Sequence, residues 1–82
     1  MEPVLATIGA HVRRLRKARG LTQGALGQAV GINANLLGRI ERGEQNLTVL
    51  TLARLAAGLE VSLSDLVQDC PPLRLTPPLL HP

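Results

Sequence analysis

The chain has 82 residues, which is enough for one small domain. It contains no aromatic residue although 45% of its residues are hydrophobic, so its core has to be built from Leu, Val, Ile and Ala. This composition favours a helical bundle over a β-sandwich or barrel. It also argues against binding of single-stranded nucleic acid, because bases usually stack on Phe, Tyr or Trp.

The net charge of +3 is distributed unevenly along the chain. Residues 1–43 contain seven basic and two acidic residues, whereas residues 44–82 contain two basic and four acidic ones. A basic N-terminal half is what a surface facing nucleic-acid phosphates requires. For the basic run at residues 13–19 taken alone, the simpler interpretation is a solvated helix face.

The first half of the chain predicts three helices. Apolar residues at helical spacing indicate a first helix over about residues 3–19. Thr22 is a good N-cap for a second helix, and Asn33 can cap a third one after a left-handed turn at Gly31. In the second helix four residues are expected to face inward, namely Ala25, Leu26, Ala29 and Val30.

Two glycines inside this second helix each lower its helix propensity by about 1 kcal/mol relative to Ala. Gly27 has a compensating role, because a small residue there lets the next helix approach closely. Gly24 has no evident role in the sequence. The two short helices meeting at Gly31, within residues 22–42, have the form of a helix-turn-helix, in which the second helix enters the DNA major groove.

The second half predicts two more helices and a tail. Thr48 caps a fourth helix, and Ser62 or Ser64 caps a short fifth one. From Cys70 onward the chain holds five of its six prolines, a composition that neither a helix nor a sheet strand tolerates. The prediction is therefore an all-α fold of five helices in a domain at residues 1–69, followed by a flexible Pro-rich tail at residues 70–82.

Residues 19–43 and 46–66 resemble the lambda-repressor-like (Xre-type) DNA-binding family. The resemblance is carried by Arg16, Arg19-Gly20-Leu21-Thr22-Gln23, Ala29-Val30-Gly31-Ile32 and Leu37-Gly38-Arg39-Ile40-Glu41-Arg42-Gly43. It implies a compact five-helix domain that acts as a dimer on a pseudo-palindromic operator. Within the family the chain is most similar to restriction–modification controller proteins, and it also looks like small helix-turn-helix antitoxins.

The candidate DNA-binding residues lie around the third helix. Those expected to contact bases are Asn33, Ala34, Asn35 and Arg39, since Arg and Asn can each form two hydrogen bonds with one base. The alternative for Asn33 is a purely structural cap, and for Arg39 a surface ion pair. Those expected to bind phosphates are Gln23, Arg42, Gln45 and Asn46. Gly38 is expected on the exposed face, where it removes a side chain.

Two further sets of residues are predicted to be structural. The resemblance implies a partly buried ion pair between Arg16 and Glu41 that ties the first helix to the third. A second apolar strip on the fourth helix suggests a dimer interface, whose residues are Leu50, Ala53, Ala57, Leu59 and Val61. The alternative for this strip is a set of unrelated surface side chains.

Several functions are not expected from this sequence. The only cysteine, Cys70, together with His11 and His81 provides too few ligands for a zinc site, no cofactor is implied, and no spacing suggests a catalytic group. His11 is expected to face solvent. No long apolar run indicates a membrane segment, so the chain is expected in the cytoplasm.

The sequence therefore predicts a transcriptional regulator that binds double-stranded DNA as a homodimer on a palindromic operator, in its own promoter as one candidate. RNA polymerase is one candidate protein partner. The alternative function is an antitoxin that binds a protein toxin and represses its own operon.

Overall fold

The computed structural model describes residues 2–75, and these residues form five α-helices and no strand. The helices are α1 (Pro3–Ala18), α2 (Gln23–Val30), α3 (Ala34–Glu41), α4 (Val49–Leu59) and α5 (Leu63–Val67). The predicted all-α class is thus confirmed. The remainder of the predicted tail, residues 76–82, lies outside the described residues.

Side chains close the N-terminal end of every one of these helices. Thr22, Asn33 and Thr48 each accept a hydrogen bond from a backbone N–H three residues further on, at 2.8–3.0 Å. Ser62 and Asp65 bond each other's backbone N–H in a reciprocal capping box. The caps predicted at these four helix starts are confirmed, and the sequence interpretation missed Glu2, which caps α1.

The turn between α2 and α3 is tight. Gly31 ends α2 in the left-handed conformation with φ of +77°, and Ile32 then inserts into the core. The Ile32 N–H donates to the carbonyl of Gly27 at 2.8 Å. A side chain at residue 27 would overlap the Ile32 carbonyl oxygen, so the predicted need for a small residue there is confirmed. The partner that approaches is the turn rather than α3 itself.

One hydrophobic core holds the helices together. α1 packs against α3 and α5, α2 packs against α3 and α4, and α4 packs against α5. The buried apolar residues are Ile8, Val12, Leu26, Val30, Ile32, Leu37, Ile40, Leu55, Ala56, Leu59 and Leu66. The expectation that Ala25 and Ala29 face inward is wrong, because α2 is held by Leu26 and Val30 and leaves both alanines exposed.

Residues that follow α5 cover part of α1. The ring of His11 is partly buried and forms a 2.9 Å hydrogen bond with the carbonyl of Gln68, so the expectation of a solvent-facing His11 is wrong. Cys70, the first residue of the predicted tail, is partly buried and packs against the core. The side of α1 that faces α5 is therefore occupied, while the side that faces α3 continues toward the candidate site.

Candidate nucleic-acid interface

The outward face of α3 carries the four residues predicted to contact bases, and all of them are exposed: Asn33, Ala34, Asn35 and Arg39. The side-chain oxygen of Asn33 accepts a 2.8 Å hydrogen bond from the Leu36 N–H, which makes it the cap of α3 and leaves its NH₂ group for other partners. Arg39 forms no ion pair with an acidic residue among residues 2–75. The surface ion pair that was the alternative for Arg39 is therefore absent from the described part of the chain.

A buried ion pair lies beneath this surface, where the resemblance implied one. Arg16 donates from Nε to Glu41 Oε2 at 2.6 Å and from Nη2 to Oε1 at 3.0 Å. A third bond runs from Nη1 to the carbonyl of Leu21 at 2.8 Å. Only 9% of the Arg16 side chain and 2% of the Glu41 side chain are exposed. The pair joins α1 to α3, and through the carbonyl of Leu21 it also holds the segment that leads into α2.

The surroundings of Glu41 keep its carboxylate charged. Burial raises its pKa, but hydrogen bonds from Arg16 and Gln23, together with the charges of Arg16 and Arg13, outweigh that effect, and the net pKa lies below the ordinary value. The Arg16 guanidinium has a raised pKa, because the bond to Glu41 outweighs its burial. Both residues are therefore ionised at neutral pH, and their charges compensate each other.

Gln23, which is predicted to bind a phosphate, is the first residue of α2, and its side chain is oriented by a hydrogen bond to the buried Glu41. Its Nε2 donates to Glu41 Oε1 at 3.0 Å. A side-chain amide has two N–H donors and one acceptor, so one donor remains available after this bond. The ion pair that stabilises the core therefore also orients a side chain of the candidate interface.

Gly38 lies below this side chain and is buried, so the expectation that it lies on the exposed face is wrong. Its neighbours cover it: a Cβ at this position would lie 3.2 Å from Nη1 of Arg42 and 3.5 Å from Oε1 of Gln23. Arg42 itself is exposed and donates from Nε to Glu44 Oε2 at 3.1 Å. The absent side chain at residue 38 thus leaves room for the side chains of Arg42 and Gln23 over α3.

These groups line an open cleft of about 250 Å³. Its lining residues are Arg13, Arg16, Gln23, Gly38, Glu41 and Arg42. From the sequence, Arg13 belongs only to the basic run at residues 13–19, interpreted as a solvated helix face, and has no role of its own. Its position three residues before Arg16, on the same side of the helix, is the signal that could have found it. Gln45 and Asn46, also predicted to bind phosphates, lie in the loop that follows α3, half-buried and exposed respectively.

The predicted dimer strip on α4 is only partly available. Leu50 is 64% exposed, Ala57 is exposed and Ala53 is half-exposed. Leu59 is 1% exposed and belongs to the hydrophobic core, so its assignment to an interface is wrong: it has no surface left for a second subunit. Val61 is partly buried against the same core. The surface that remains is the outer face of α4.

The described residues contain neither a membrane-spanning helix nor a cluster of metal-binding side chains. No helix within residues 2–75 is long and apolar enough to span a bilayer. Across the same residues, no three His, Cys, Asp or Glu side chains cluster as a metal site would require.

Residues 12–66 match the model of the helix-turn-helix family HTH_3, and the chain belongs to this family. It is 35% identical over all 82 residues to the HTH-type transcriptional regulator SutR of Escherichia coli (strain K12), of whose length it spans 45%. The restriction–modification controller protein C.AhdI from Aeromonas hydrophila is similar in structure, with a TM-score of 0.74, 32% identity, and coverage of 76% of this chain and 94% of that one. SinR, solved in complex with DNA, matches with a TM-score of 0.71 and 31% identity over 74% of this chain and 98% of its own. The lambda-repressor-like (Xre-type) resemblance is thereby confirmed.

Proposed function

We propose that the chain is a sequence-specific transcriptional regulator that binds double-stranded DNA as a homodimer on a palindromic operator, with its own promoter as the first candidate site. The observation that carries this proposal is the exposed face of α3, where Asn35 and Arg39 stand on a helix fixed by the core and by the turn at Gly31. In the major groove, Arg39 can bond O6 and N7 of guanine, and Asn35 can bond N6 and N7 of adenine.

Residues around α3 are suited to hold the helix in register. Gln23 and Arg42 both lie next to Gly38, and Gln45 and Asn46 lie in the loop after the helix. Contacts to phosphates from such positions supply affinity and orientation but little sequence information. In this proposal, specificity comes from the outward face of α3, including the free NH₂ group of Asn33 and the thymine-methyl contact open to Ala34.

The homodimer is supported by the outer face of α4. Leu50 and Val49 are the most exposed large apolar residues among those described, and with Ala53 and Ala57 they form one helical stripe. Burying this stripe against its copy would create a two-fold interface. A two-fold dimer places two recognition helices about 34 Å apart, one turn of DNA, which is why the operator is expected to be palindromic.

The dimer has a direct test in the concentration dependence of unfolding. We expect the melting temperature to rise with protein concentration, because association stabilises only the folded chain. Replacing Leu50 by Ser should abolish that dependence and halve the mass in sedimentation. Leu73, which is 60% exposed but lies outside α4, provides the matched control Leu73→Ser. A monomer mass and a concentration-independent melt for the wild type would contradict the dimer.

The mode of regulation follows from where the operator lies. A dimer that covers the polymerase site would repress, and one bound beside it would activate by touching RNA polymerase. Either mode acts on the genome, and we place the chain in the cytoplasm. Under the alternative function of an antitoxin, the chain would also co-purify with a stoichiometric toxin, which the regulator proposal does not require.

The deciding experiment is selection of bound fragments from the source genome, repeated with Arg39→Ala. We expect the wild type to enrich a palindrome, and the variant to relax preference at one base pair per half-site by about 1–3 kcal/mol. Arg14→Ala is the matched control, since it removes the same charge from an exposed residue whose Nη2 lies 3.4 Å from the His11 ring, away from α3. Absence of enrichment at low salt, or equal effects of both variants on sequence preference, would contradict the proposal.

A further inference from the structure

The cleft between α1 and α3 has an unusual balance of charge. Its floor contains the Arg16–Glu41 ion pair, whose two charges compensate each other. Its rim contains two more guanidinium groups, Arg13 on α1 and Arg42 at the end of α3. The cleft therefore carries an excess of two positive charges in its lining, and an acidic neighbour, Glu44, reaches only the Arg42 side.

Arg13 has no acidic partner of its own at ion-pair distance within residues 2–75. It is exposed, yet close enough to Glu41 for its charge to contribute to the lowered pKa of that carboxyl. Because Arg16 already compensates the charge of Glu41 in a two-bond ion pair, no net negative charge remains there to neutralise Arg13. The guanidinium of Arg13 is thus held at the cleft by its position on α1 and remains available for an anion.

The geometry of the cleft suits an oxyanion. Gln23 uses one amide N–H for Glu41 and keeps the other, and Arg42 Nη1 lies close above Gly38. The volume of about 250 Å³ is well above the roughly 30 Å³ occupied by one water molecule, so a tetrahedral phosphate group has room there. Two guanidinium groups and an amide donor that line one cleft can provide charge-assisted hydrogen bonds to an anion in it.

We propose that Arg13, Gln23 and Arg42 form a single clamp for one DNA backbone phosphate, with Arg13 as its α1 arm. This inference rests on the DNA-binding function proposed above and adds to it a contact from outside the helix-turn-helix. The clamp links the buried ion pair to the DNA, since Glu41 orients Gln23 directly. It fixes the depth at which α3 enters the groove, because α1 and α3 hold the phosphate from two sides.

The test uses a mixed-sequence duplex of about 30 base pairs, three helical turns, and measures the dissociation constant over a range of salt concentrations. Binding to such a probe depends almost entirely on phosphate contacts. Loss of one contact should reduce the slope of log K against log salt by about 0.9 per bound protomer, which is about an eightfold loss of affinity at 0.1 M salt. We expect this result for Arg13→Gln, whereas Arg13→Lys should retain most of the slope.

Arg14→Gln is the matched control, because it removes the same charge from the adjacent residue on the side of α1 that faces His11 and Gln68. The clamp predicts less than a twofold loss of affinity for this variant and an unchanged slope. Equal losses for Arg13→Gln and Arg14→Gln would overturn the clamp but leave the regulator function intact. Failure of the wild type to bind the duplex at low salt would overturn both. Melting temperatures of the variants, measured in parallel, show whether each remains folded during the titration.

Discussion

Replacing Glu41 by Ala is expected to lower the free energy of unfolding by about 3–5 kcal/mol, the cost of breaking a buried ion pair by removing one partner. The substitution leaves the Arg16 guanidinium buried without its partner, and it also removes the acceptor of the Gln23 amide. Urea unfolding followed by circular dichroism measures the change. Glu44→Ala, which removes an acidic partner from the exposed Arg42, serves as the control and should change the stability little.

A double variant separates the cost of an unpaired charge from the value of the pair itself. In Arg16→Met/Glu41→Leu both charges are gone, and apolar side chains fill part of the space. We expect it to be more stable than Glu41→Ala, because replacing a buried pair by apolar residues is often close to neutral. A double variant no more stable than the single one would contradict this account and would place the loss in the packing of α1 on α3.

The same pair makes stability depend on pH in a definite direction. Glu41 has a lower pKa in the folded chain than its ordinary value of 4.5, so the pair contributes fully above that value. Its contribution is lost as the pH falls through the lowered folded-state pKa. Asp65 acts in the same direction, because hydrogen bonds from the Ser62 backbone and side chain lower its pKa. The acid-induced loss of stability should therefore be smaller in Glu41→Gln than in the wild type.

Gly27→Ala is expected to destabilise the fold by about 1–3 kcal/mol, although Ala is the better helix former. The added methyl group would overlap the carbonyl oxygen of Ile32, and this oxygen belongs to the backbone, so no side-chain rotation relieves the overlap. The turn between α2 and α3 would have to move instead. Thermal or urea unfolding measures the loss.

Gly24 provides the matched control in the same helix. A methyl group there meets only the Thr22 Oγ1, at 3.9 Å, which is ordinary contact. Gly24→Ala should therefore raise the stability by up to about 1 kcal/mol through helix propensity alone. If Gly24→Ala stabilises the fold and Gly27→Ala destabilises it, the close approach of the turn explains why residue 27 has to be glycine. Stabilisation by both substitutions would contradict it.

Features set by local chemistry were predictable from the sequence. The caps at Thr22, Asn33, Thr48 and Ser62 depend on a side chain and a backbone N–H only three residues away, so the pattern contains everything that decides them. The helix order follows from apolar spacing for the same reason.

Features set by contacts between distant residues were not predictable from periodicity. Ala25 and Ala29 satisfy the helical pattern, but which apolar residues of α2 face inward depends on where α3 and α4 lie. The position of His11 depends on Gln68, which is 57 residues away in the chain. From the sequence, Leu59 fits either the core or a dimer strip. The packing of α5 against α4 decides which side of α4 is interior, and Leu59 lies on that side.

The candidate site also combines features that the sequence predicts with features that depend on contacts between distant residues. The sequence identified the exposed residues at the start and on the outward face of α3, because helical spacing marks Leu37 and Ile40 as its buried positions and leaves these residues facing outward. It did not reveal that Gln23 is bonded to Glu41, or that Arg13 reaches the same cleft, because three different helices supply these groups. The ion pair of Arg16 and Glu41 came from the family resemblance rather than from spacing.

The shortness of the two central helices joins folding to DNA occupancy. α2 and α3 have eight residues each, below the roughly 12–15 that an isolated helix needs in water, so α3 keeps its shape only while the core is intact. Under the proposed function, an unfolded molecule consequently cannot bind its operator. A core substitution such as Leu55→Ala, in α4 and not on the proposed DNA-binding surface, would weaken apparent binding in proportion to the unfolded fraction. Excess operator would in turn raise the melting temperature and restore the folded population.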